Sequence, residues 1–412
     1  MKQIAIMHYA SPPGIGGVEV TIAHQARTLV ENGYAVCVIS GDGGTFHPQI
    51  ETCIDPILSS SHPDVLRVQA ELAQGQITPA YDALVARIKK VLQTALKNVD
   101  VCVAHNIVTL HKNLALTAAL KQYVDETSLH LVAYCHDLAW TNPQYQAELH
   151  AGEPWELLRQ AWAGVDYATI STMRQQEIAD LLGIHAESIT IVTGGIDPAQ
   201  FLRWTETTRR LVKKLNLMDA DGILLLPARL TRRKNIELAL QIMAVLRKQS
   251  GADFRLIITG PPGPHNPTNK SYLDKLLEQR SLLHLENAVH FLYQEGEDAR
   301  TPLLVDDDTI ADCYRLADAL LFPSTQEGFG IPILEAGLSG IPIFCSDLPP
   351  LRQTGGDEAL YFNPLKDSPQ QIAQQIMSVL NASSIFRLRV RVRQQYRWET
   401  IIQKSLIPLL ER

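Results

Sequence analysis

Two glutamates in the second half of the chain have a spacing suited to ligand binding. Glu327 and Glu335 lie on either side of a glycine-containing loop, between the apolar run 319–322 and a predicted helix that begins at Pro332. A strand, a glycine loop and a helix start together form an anion site, because free N–H groups and the helix dipole point above the loop. Acids beside such a site suit a ligand with hydroxyls at both ends and phosphates between them, such as a nucleotide sugar. The spacing alone fits equally well a helix-dipole role for Glu335 and a solvated Glu327.

Two basic residues flank another predicted strand-to-helix loop. Arg229 and Lys234 follow the apolar run 222–227. Two cations at this spacing can bind a diphosphate from two sides. A solvated basic loop is the alternative for such a charge run.

The first half opens with a strand, a glycine-rich turn and a helix, the start of a βαβ unit. Gly14, Gly16 and Gly17 lack the third glycine at the spacing of a dinucleotide-binding loop, which disfavours NAD. Further polar residues, placed by position in the ligand crevice of a doubly wound sheet, follow two later predicted strands: His105, Asn106, His136 and Asp137. A lone histidine is more often structural than functional.

Several of these motifs resemble those of one enzyme family. The segment from Glu327 to Glu335 resembles the Glu-x7-Glu signature of retaining glycosyltransferases of family 4, which have the GT-B fold. Arg229 to Asn235 is similar to the family's Arg-Leu-x-x-x-Lys-Asn motif, which implies that Arg229 and Lys234, and not Arg232 or Arg233, bind the diphosphate. Gly16-Gly17-x-Glu19 resembles the family's amino-terminal glycine loop, whose backbone faces the distal phosphate and the sugar of the donor. Gly194 replaces the usual Asn of the interdomain step, which puts a side-chain contact there in doubt. The resemblance spans most of the chain and is strongest over 222–365.

The resemblance implies an α/β fold of the GT-B type, with two doubly wound Rossmann-like domains that face each other across a cleft. It implies an acceptor-side domain over 1–197 and a nucleotide-sugar-binding domain over 198–384. The segment 385–412 is then a crossover helix that packs back on the first domain, with Trp398 as an anchor.

Site roles follow from the resemblance residue by residue. The catalytic set is Arg229, Lys234, Glu327 and His136. The donor-binding set comprises Gly16, Gly17, Arg229, Lys234, Leu292, Glu327, Gly328, Phe329, Gly330, Ile331 and Glu335. Glu335 holds the ribose, Glu327 the sugar hydroxyls, and the backbone near Leu292 the base. The acceptor-side residues are His105, Asn106 and Asp137.

The implied activity is retaining transfer of a hexose, without a metal, from a nucleoside-diphosphate sugar to a hydroxyl of a glycan, a lipid-linked oligosaccharide or a small acceptor. UDP-glucose is the first choice of donor on family frequency. A nucleotide-sugar epimerase or glycan phosphorylase of the same fold, or a noncatalytic nucleotide-sugar-binding subunit, stays open as an alternative. Asp306, Asp307 and Asp308 suggest a metal site, but their position before a predicted helix favours capping.

Composition sets the remaining expectations. The 412 residues carry a formal charge of −7, which argues against a nucleic-acid partner. Six scattered cysteines without a Cys-x-x-Cys favour small core residues over disulfides or zinc. The opening strand is too short for a signal peptide, and no apolar run is long enough to span a bilayer. We therefore expect a cytoplasmic protein, with the inner face of the membrane, reached through peripheral contact, as an alternative.

Overall fold

The computed structural model describes residues 2–263, 268–296 and 301–412. The chain divides into two compact units. Unit 1 comprises Met1–Ile196 and Tyr396–Arg412, and unit 2 comprises Asp197–Gln395. The predicted functional division between acceptor and donor sides stays a prediction. Among the described residues, no helix has the length and apolar content that a bilayer crossing requires.

Unit 1 contains a parallel sheet with the strand order β3-β2-β1-β4-β5-β6-β7. Its strands are β1 (Gln3–His8), β2 (Ala35–Ser40), β3 (Glu51–Ile54), β4 (Val101–His105), β5 (His130–Cys135), β6 (Val165–Thr169) and β7 (Ile189–Ile191). Its first helices are α1 (Gly17–Glu31), α2 (Pro63–Leu72), α3 (Pro79–Ala95), α4 (Leu114–Glu126) and α5 (Thr172–Leu182). Successive residues of β1 enter two different apolar clusters, Ala5 one and Ile6 the other, so both faces of the sheet are covered.

Unit 2 repeats this architecture with the strand order β10-β9-β8-β11-β12-β13. The strands are β8 (Gly222–Leu226), β9 (Phe254–Ile258), β10 (Val289–Phe291), β11 (Ala319–Phe322), β12 (Ile343–Ser346) and β13 (Leu360–Phe362). The helices are α6 (Pro198–Phe201), α7 (Glu206–Lys214), α8 (Ile236–Ser250), α9 (Thr268–Leu282), α10 (Asp307–Leu316), α11 (Ile331–Leu338), α12 (Pro349–Gly355), α13 (Pro369–Ala382) and α14 (Ser384–Gln395). All its strand pairs are parallel.

The carboxy-terminal segment returns to unit 1, as the fold-class prediction requires. It forms α15 (Trp398–Ile401), a π-helical turn over Ile402–Leu406 and α16 (Ile407–Leu410). The return begins at Tyr396 and not at 385, because α14 belongs to unit 2. Arg393 of α14 donates a hydrogen bond of 2.9 Å to the fully buried Asp318. Asp318 lies directly before β11.

The strand orders locate the crevice of each sheet. In unit 1 the order reverses between β1 and β4, and in unit 2 between β8 and β11. Open α/β sheets bind ligands beyond the carboxyl ends of the strands at such a reversal. The loops that follow these four strands carry most of the residues selected from the sequence. The fold thus brings together, within each unit, motifs that lie far apart in the chain.

Candidate active site

The loops that follow β8 and β11 are joined by an ion pair. Lys234 Nζ donates a hydrogen bond of 2.5 Å to Glu327 Oε1, and the two side chains are only 10% and 8% exposed. Backbone contacts fix the same two loops, since Thr325 N donates to Arg233 O at 2.8 Å. Two of the four predicted catalytic residues therefore lie in direct contact, at the reversal point of unit 2.

The environment of Lys234 is partly apolar. Its Nζ lies 4.6 Å from the centre of the Phe322 ring, at the end of β11. Burial lowers the pKa of Lys234 from its ordinary value, while the Glu327 carboxylate acts in the opposite direction. A buried pair of this kind costs desolvation of both charges, so its presence is better explained by a need for charge at this place than by stability.

Arg233 is a further member of this cluster that the sequence argument passed over. Its Nη1 donates to Glu327 Oε2 at 3.1 Å and to Gln326 O at 3.1 Å. The side chain is 49% exposed. Arg232 points elsewhere, with its guanidinium 5.3 Å from the Tyr272 ring centre. Residues Arg232–Lys234 form one turn of 3-10 helix, so adjacent side chains point in different directions. The spacing of basic residues in the sequence does not show these directions.

Arg229 lies differently from Lys234. It is exposed, and within the described ranges of the chain no ion pair or side-chain hydrogen bond involves it. Its neighbour Leu230 is fully buried and fixes the loop, because Leu230 N donates to Pro261 O at 2.9 Å. As far as the described residues go, Arg229 is therefore an unpaired cation on an anchored backbone. Such a group can bind an anion without first breaking a protein contact.

Glu335 is held by a residue that the sequence did not indicate. The Tyr314 hydroxyl donates a hydrogen bond of 2.6 Å to Glu335 Oε2. Tyr314 is 3% exposed, and burial together with Glu335 raises the pKa of its phenol, so the hydroxyl keeps its proton. Tyr314 thus holds Oε2, whereas no hydrogen bond to Glu335 Oε1 is observed within the described residues. Glu335 is four residues into α11, which begins at Ile331 with Pro332 second.

The loop between β11 and α11 depends on one glycine conformation. Gly330, which precedes α11, has φ of +97°, and a Cβ there would lie 2.6 Å from Leu351 Cδ2. Gly328 has open space around its Cα. Phe329 and Ile331 are 51% and 59% exposed, and Thr354 Oγ1 donates to Phe329 O at 2.5 Å. The predicted donor-binding loop therefore exposes the side chains of Phe329 and Ile331, while Thr354 holds its backbone.

The remaining donor-side predictions have these places. Leu292 is buried just after β10 and begins a short turn, so only its backbone is available for a base. In unit 1, Gly16 and Gly17 lie at the start of α1, where a Cβ on Gly16 would be 2.1 Å from Glu19 Oε2. The Glu19 carboxylate therefore lies against the turn that was predicted to face a phosphate.

The acceptor-side residues form one cluster in unit 1. Asn106 has φ of +60° and its Oδ1 accepts from His136 N at 2.8 Å and Asp137 N at 3.1 Å. Asn106 thus ties the end of β4 to the loop after β5. Asp137 is exposed, with Oδ1 at 3.9 Å from Arg174 Nη2. His105 has no exposed surface for a ligand, and its side chain is hydrogen-bonded to His136.

A third histidine belongs to this cluster. His8 ends β1, next to β4 in the sheet, and its charge would act on both His105 and His136. Burial lowers the pKa of His8, and it lowers the pKa of His136 to about 4. The rule that strand ends point into the crevice would have selected His8 too. The lowered pKa values favour the neutral form of all three imidazoles at pH 7.

Asp306, Asp307 and Asp308, which suggest a metal site in the sequence, lie at the N-terminus of α10. Asp306 precedes α10, and its Oδ1 accepts from Thr309 N at 2.8 Å. In the part of the chain that the structure describes, no group of three or more His, Cys, Asp or Glu side chains is arranged to hold a metal ion.

Two units, each with a doubly wound parallel sheet, and a carboxy-terminal segment that returns to the first unit define the GT-B class of α/β fold. Comparison with known proteins identifies the family. The model for Glycosyltransferase Family 4 matches residues 15–200, and the model for Glycosyl transferases group 1 matches residues 207–397. The chain belongs to glycosyltransferase family 4, as the motif resemblance predicted, and it is a glycosyltransferase.

Individual relatives are distant but extend over the whole chain. A glycosyltransferase of Methanocaldococcus jannaschii is 23% identical over 98% of this chain and 97% of its own length. The glycogen synthase of Mycobacterium tuberculosis is 24% identical over 97% of this chain and 92% of its own. A solved glycosyltransferase structure from Rickettsia africae is 16% identical, covers 100% of this chain and 98% of its own, and has a TM-score of 0.39. That structural score is too low to add to the fold assignment.

Proposed function

We propose that this protein is a retaining glycosyltransferase that moves a hexose from a nucleoside-diphosphate sugar to a hydroxyl of a glycan, a lipid-linked oligosaccharide or a small acceptor. The observation that carries the proposal is the buried Lys234–Glu327 pair at the reversal point of unit 2. A cation and an acid lie side by side in this pair, which suits a ligand with both phosphates and sugar hydroxyls. UDP-glucose remains the first choice of donor.

The leaving diphosphate needs fixed positive charge. Breaking the anomeric C–O bond leaves an oxocarbenium-like sugar and builds negative charge on the phosphate, and prearranged positive groups stabilise that charge most effectively. Arg229 is available for this role because it is exposed, and Lys234 because it is desolvated beside Glu327. The N-terminus of α11 adds the positive end of its helix dipole. These groups would do the work that a divalent cation does in other transferases.

The two acids would hold the two ends of the donor. Glu335, with one oxygen on Tyr314, would bind the ribose hydroxyls through the other. Glu327 would accept from sugar hydroxyls, with the backbone of Phe329 and Gly330. Retention would follow the family's route, in which a donor phosphate oxygen accepts the proton of the incoming hydroxyl on the same face. His136 would contact the transferred sugar from unit 1.

The proposed roles of the two units follow from these assignments. Unit 2, Asp197–Gln395, would bind the donor and unit 1 the acceptor. We propose a cytoplasmic location with peripheral membrane contact for a lipid-linked acceptor. Thermal-shift measurements against a panel of nucleotide sugars would identify the base and the sugar.

The sharpest test of the phosphate-binding role uses two arginines of one loop. Arg229→Ala should lower kcat about a hundredfold to a thousandfold, the usual cost of removing one group that stabilises developing charge. Its melting temperature should stay near that of the wild type, because the side chain is exposed and forms no ion pair within the described residues. Steady-state kinetics with UDP-glucose, or with the donor found in the thermal-shift panel, would measure the effect.

Arg232→Ala is the matched control. It removes the same charge from the same loop but from a side chain that lies over Tyr272, so its kcat should change less than threefold or so. Lys234→Ala should lower turnover by at least as much as Arg229→Ala, with some loss of stability because Lys234 is buried. Equal activity of the Arg229 and Arg232 variants would contradict the proposed diphosphate site.

A further inference from the structure

Gln25, His105 and His136 form a continuous chain of hydrogen bonds in unit 1. His105 Nδ1 lies 2.9 Å from His136 Nε2, and His105 Nε2 lies 3.0 Å from Gln25 Oε1. Gln25 is on the inner face of α1, His105 ends β4 and His136 follows β5. The chain thus runs from inside the helix layer to the carboxyl end of the sheet, where the proposed sugar contact lies.

Only one end of this chain is open. Gln25 and His105 have no exposed surface, whereas His136 is partly exposed. The stacked rings leave little freedom: Tyr134 lies 4.6 Å from the His105 ring and 4.7 Å from the His136 ring, both centre to centre. The Tyr134 hydroxyl donates to Val192 O, which fixes the Tyr134 ring against both imidazoles, whose own centres lie 5.2 Å apart. The tautomer that Gln25 selects for His105 therefore determines the tautomer of His136.

Gln25, at the buried end of the chain, determines which nitrogen of each imidazole donates its hydrogen bond. Gln25 Oε1 can only accept, so His105 Nε2 must carry the proton between them. Burial holds the pKa of His105 well below its ordinary value, so this imidazole is neutral and has one N–H. His105 Nδ1 then accepts from His136 Nε2. His136 is also neutral at pH 7, and its Nδ1 is left without a proton.

The amide orientation of Gln25 decides this outcome. Its Nε2 is buried without a hydrogen-bond partner within the described residues. Reversal of the amide would place an N–H against His105 and invert every donor in the chain, so His136 would then present an N–H at Nδ1. The chemistry of the exposed imidazole therefore depends on a side chain in the interior.

We propose that Gln25 and His105 are positioning residues that hold His136 as the Nε2–H tautomer, so that Nδ1 accepts a hydrogen bond from a hydroxyl of the transferred sugar. The inference rests on the proposed function for the identity of the hydroxyl donor, but not for the tautomer itself. It also gives His105 a role that its burial allows: His105 acts through His136 and touches no substrate. A sugar that lacks this hydroxyl, or carries only an acceptor there, would lose the contact.

The tautomer can be measured in the free protein. In long-range ¹H–¹⁵N correlation spectra of histidine-labelled wild type at pH 7.5, the His136 Nδ1 signal should have the shift of an unprotonated nitrogen and Nε2 that of a protonated one. Gln25→Met, which keeps the side-chain length but not the acceptor, should move both signals towards the other tautomer or an average. Gln25→Glu keeps an oxygen at the same place and should preserve the wild-type pattern.

Kinetics separate a positioning role from a structural one. Gln25→Met should lower kcat/KM for the nucleotide sugar about tenfold, a typical value for one lost hydrogen bond, while the affinity for UDP alone stays unchanged. Gln25→Glu should recover most of that loss. If Gln25→Met does not fold, the wild-type spectrum alone still decides the tautomer.

Two results would overturn the inference: a protonated Nδ1 in wild-type His136, or an unchanged His136 spectrum in Gln25→Met. Neither result depends on activity. Loss of the proposed function would instead appear as no transfer from any nucleotide sugar and no effect of Arg229→Ala. The two failures are therefore distinguishable.

Discussion

At the residue scale, the sequence predicted the types of side chain at the site better than their partners. Lys234 and Glu327 were both selected, but nothing in their separate motifs indicated that they pair with each other. Arg233 was set aside and yet binds Glu327, because one turn of 3-10 helix directs it there. Tyr314 and Gln25 were missed because an isolated Tyr or Gln on a helix carries no pattern. Supporting residues of this kind depend on tertiary contact, which short motifs do not encode.

His136 should make the stability of the protein depend on pH in the acid range. Its folded-state pKa is about 4, below the ordinary 6.5, because burial and the nearby His8 disfavour the charged form. The stabilising preference for the neutral form is complete above pH 6.5 and is lost as the pH falls towards 4. His136 therefore contributes about 3 kcal/mol to the fall in the free energy of unfolding over this range, by the standard conversion of a pKa shift.

Urea unfolding at pH 7.5, 6.5, 5.5 and 4.5 would measure this slope. In His136→Gln the fall should be shallower than in the wild type, with His8 and His105 still contributing and Glu19, which acts on His8, still present. His185→Gln, at an exposed position, is the matched control and should keep the wild-type slope. Identical slopes in all three proteins would show that His136 is not held neutral by the fold.

At the element scale, the strand-to-helix units were predicted well, because buried parallel strands leave apolar runs of a typical length. The apolar run 222–227 is observed as the strand Gly222–Leu226, and the run 319–322 is observed unchanged as a strand. The predicted helix over 385–412 is instead broken at Tyr396 and Arg397. There Ile196 N donates to Tyr396 O at 2.8 Å, so the backbone pairs with a distant segment. Helical periodicity on both sides concealed a break imposed by tertiary contact.

The loop that begins α11 should be sensitive to one methyl group. Gly330→Ala forces a side chain into φ of +97° and brings its Cβ to 2.6 Å from Leu351 Cδ2, so the loop must move. The backbone strain is about 1–2 kcal/mol. We expect the affinity for UDP to fall about tenfold or more, as measured by calorimetric titration.

Gly340→Ala is the control for this prediction. Gly340, which follows α11, has φ of +68° with nothing within 4 Å of a Cβ, so it carries the same backbone strain without the clash. Its stability should fall by a similar amount, while UDP affinity stays at the wild-type value. A Gly330→Ala protein that binds UDP normally would show that the loop geometry does not matter for the donor.

At the scale of the whole molecule, the two ends of the chain build one unit. Trp398 is 5% exposed and stacks on His24 of α1, with ring centres 5.2 Å apart and an angle of 12°. Ile402, Leu406 and Leu410 join the cluster that contains Ile22 of α1. The family resemblance predicted Trp398 as an anchor. Composition alone could not have done so, because pairing of distant segments leaves no local signal.

This arrangement predicts that a mutation near the carboxyl terminus destabilises the amino-terminal sheet. Trp398→Ala should cost about 3–5 kcal/mol, the usual cost of truncating a buried aromatic residue. Hydrogen exchange followed by mass spectrometry should show faster exchange in α1 and β1 of unit 1 and unchanged protection in β8 and β11 of unit 2. Leu388→Ala, on α14 of unit 2 and 50% exposed, is the control and should change neither. Faster exchange throughout both units would mean that the chain unfolds as a single cooperative body, whereas a change confined to unit 1 would show that residues close to 400 are part of the domain that starts at residue 1.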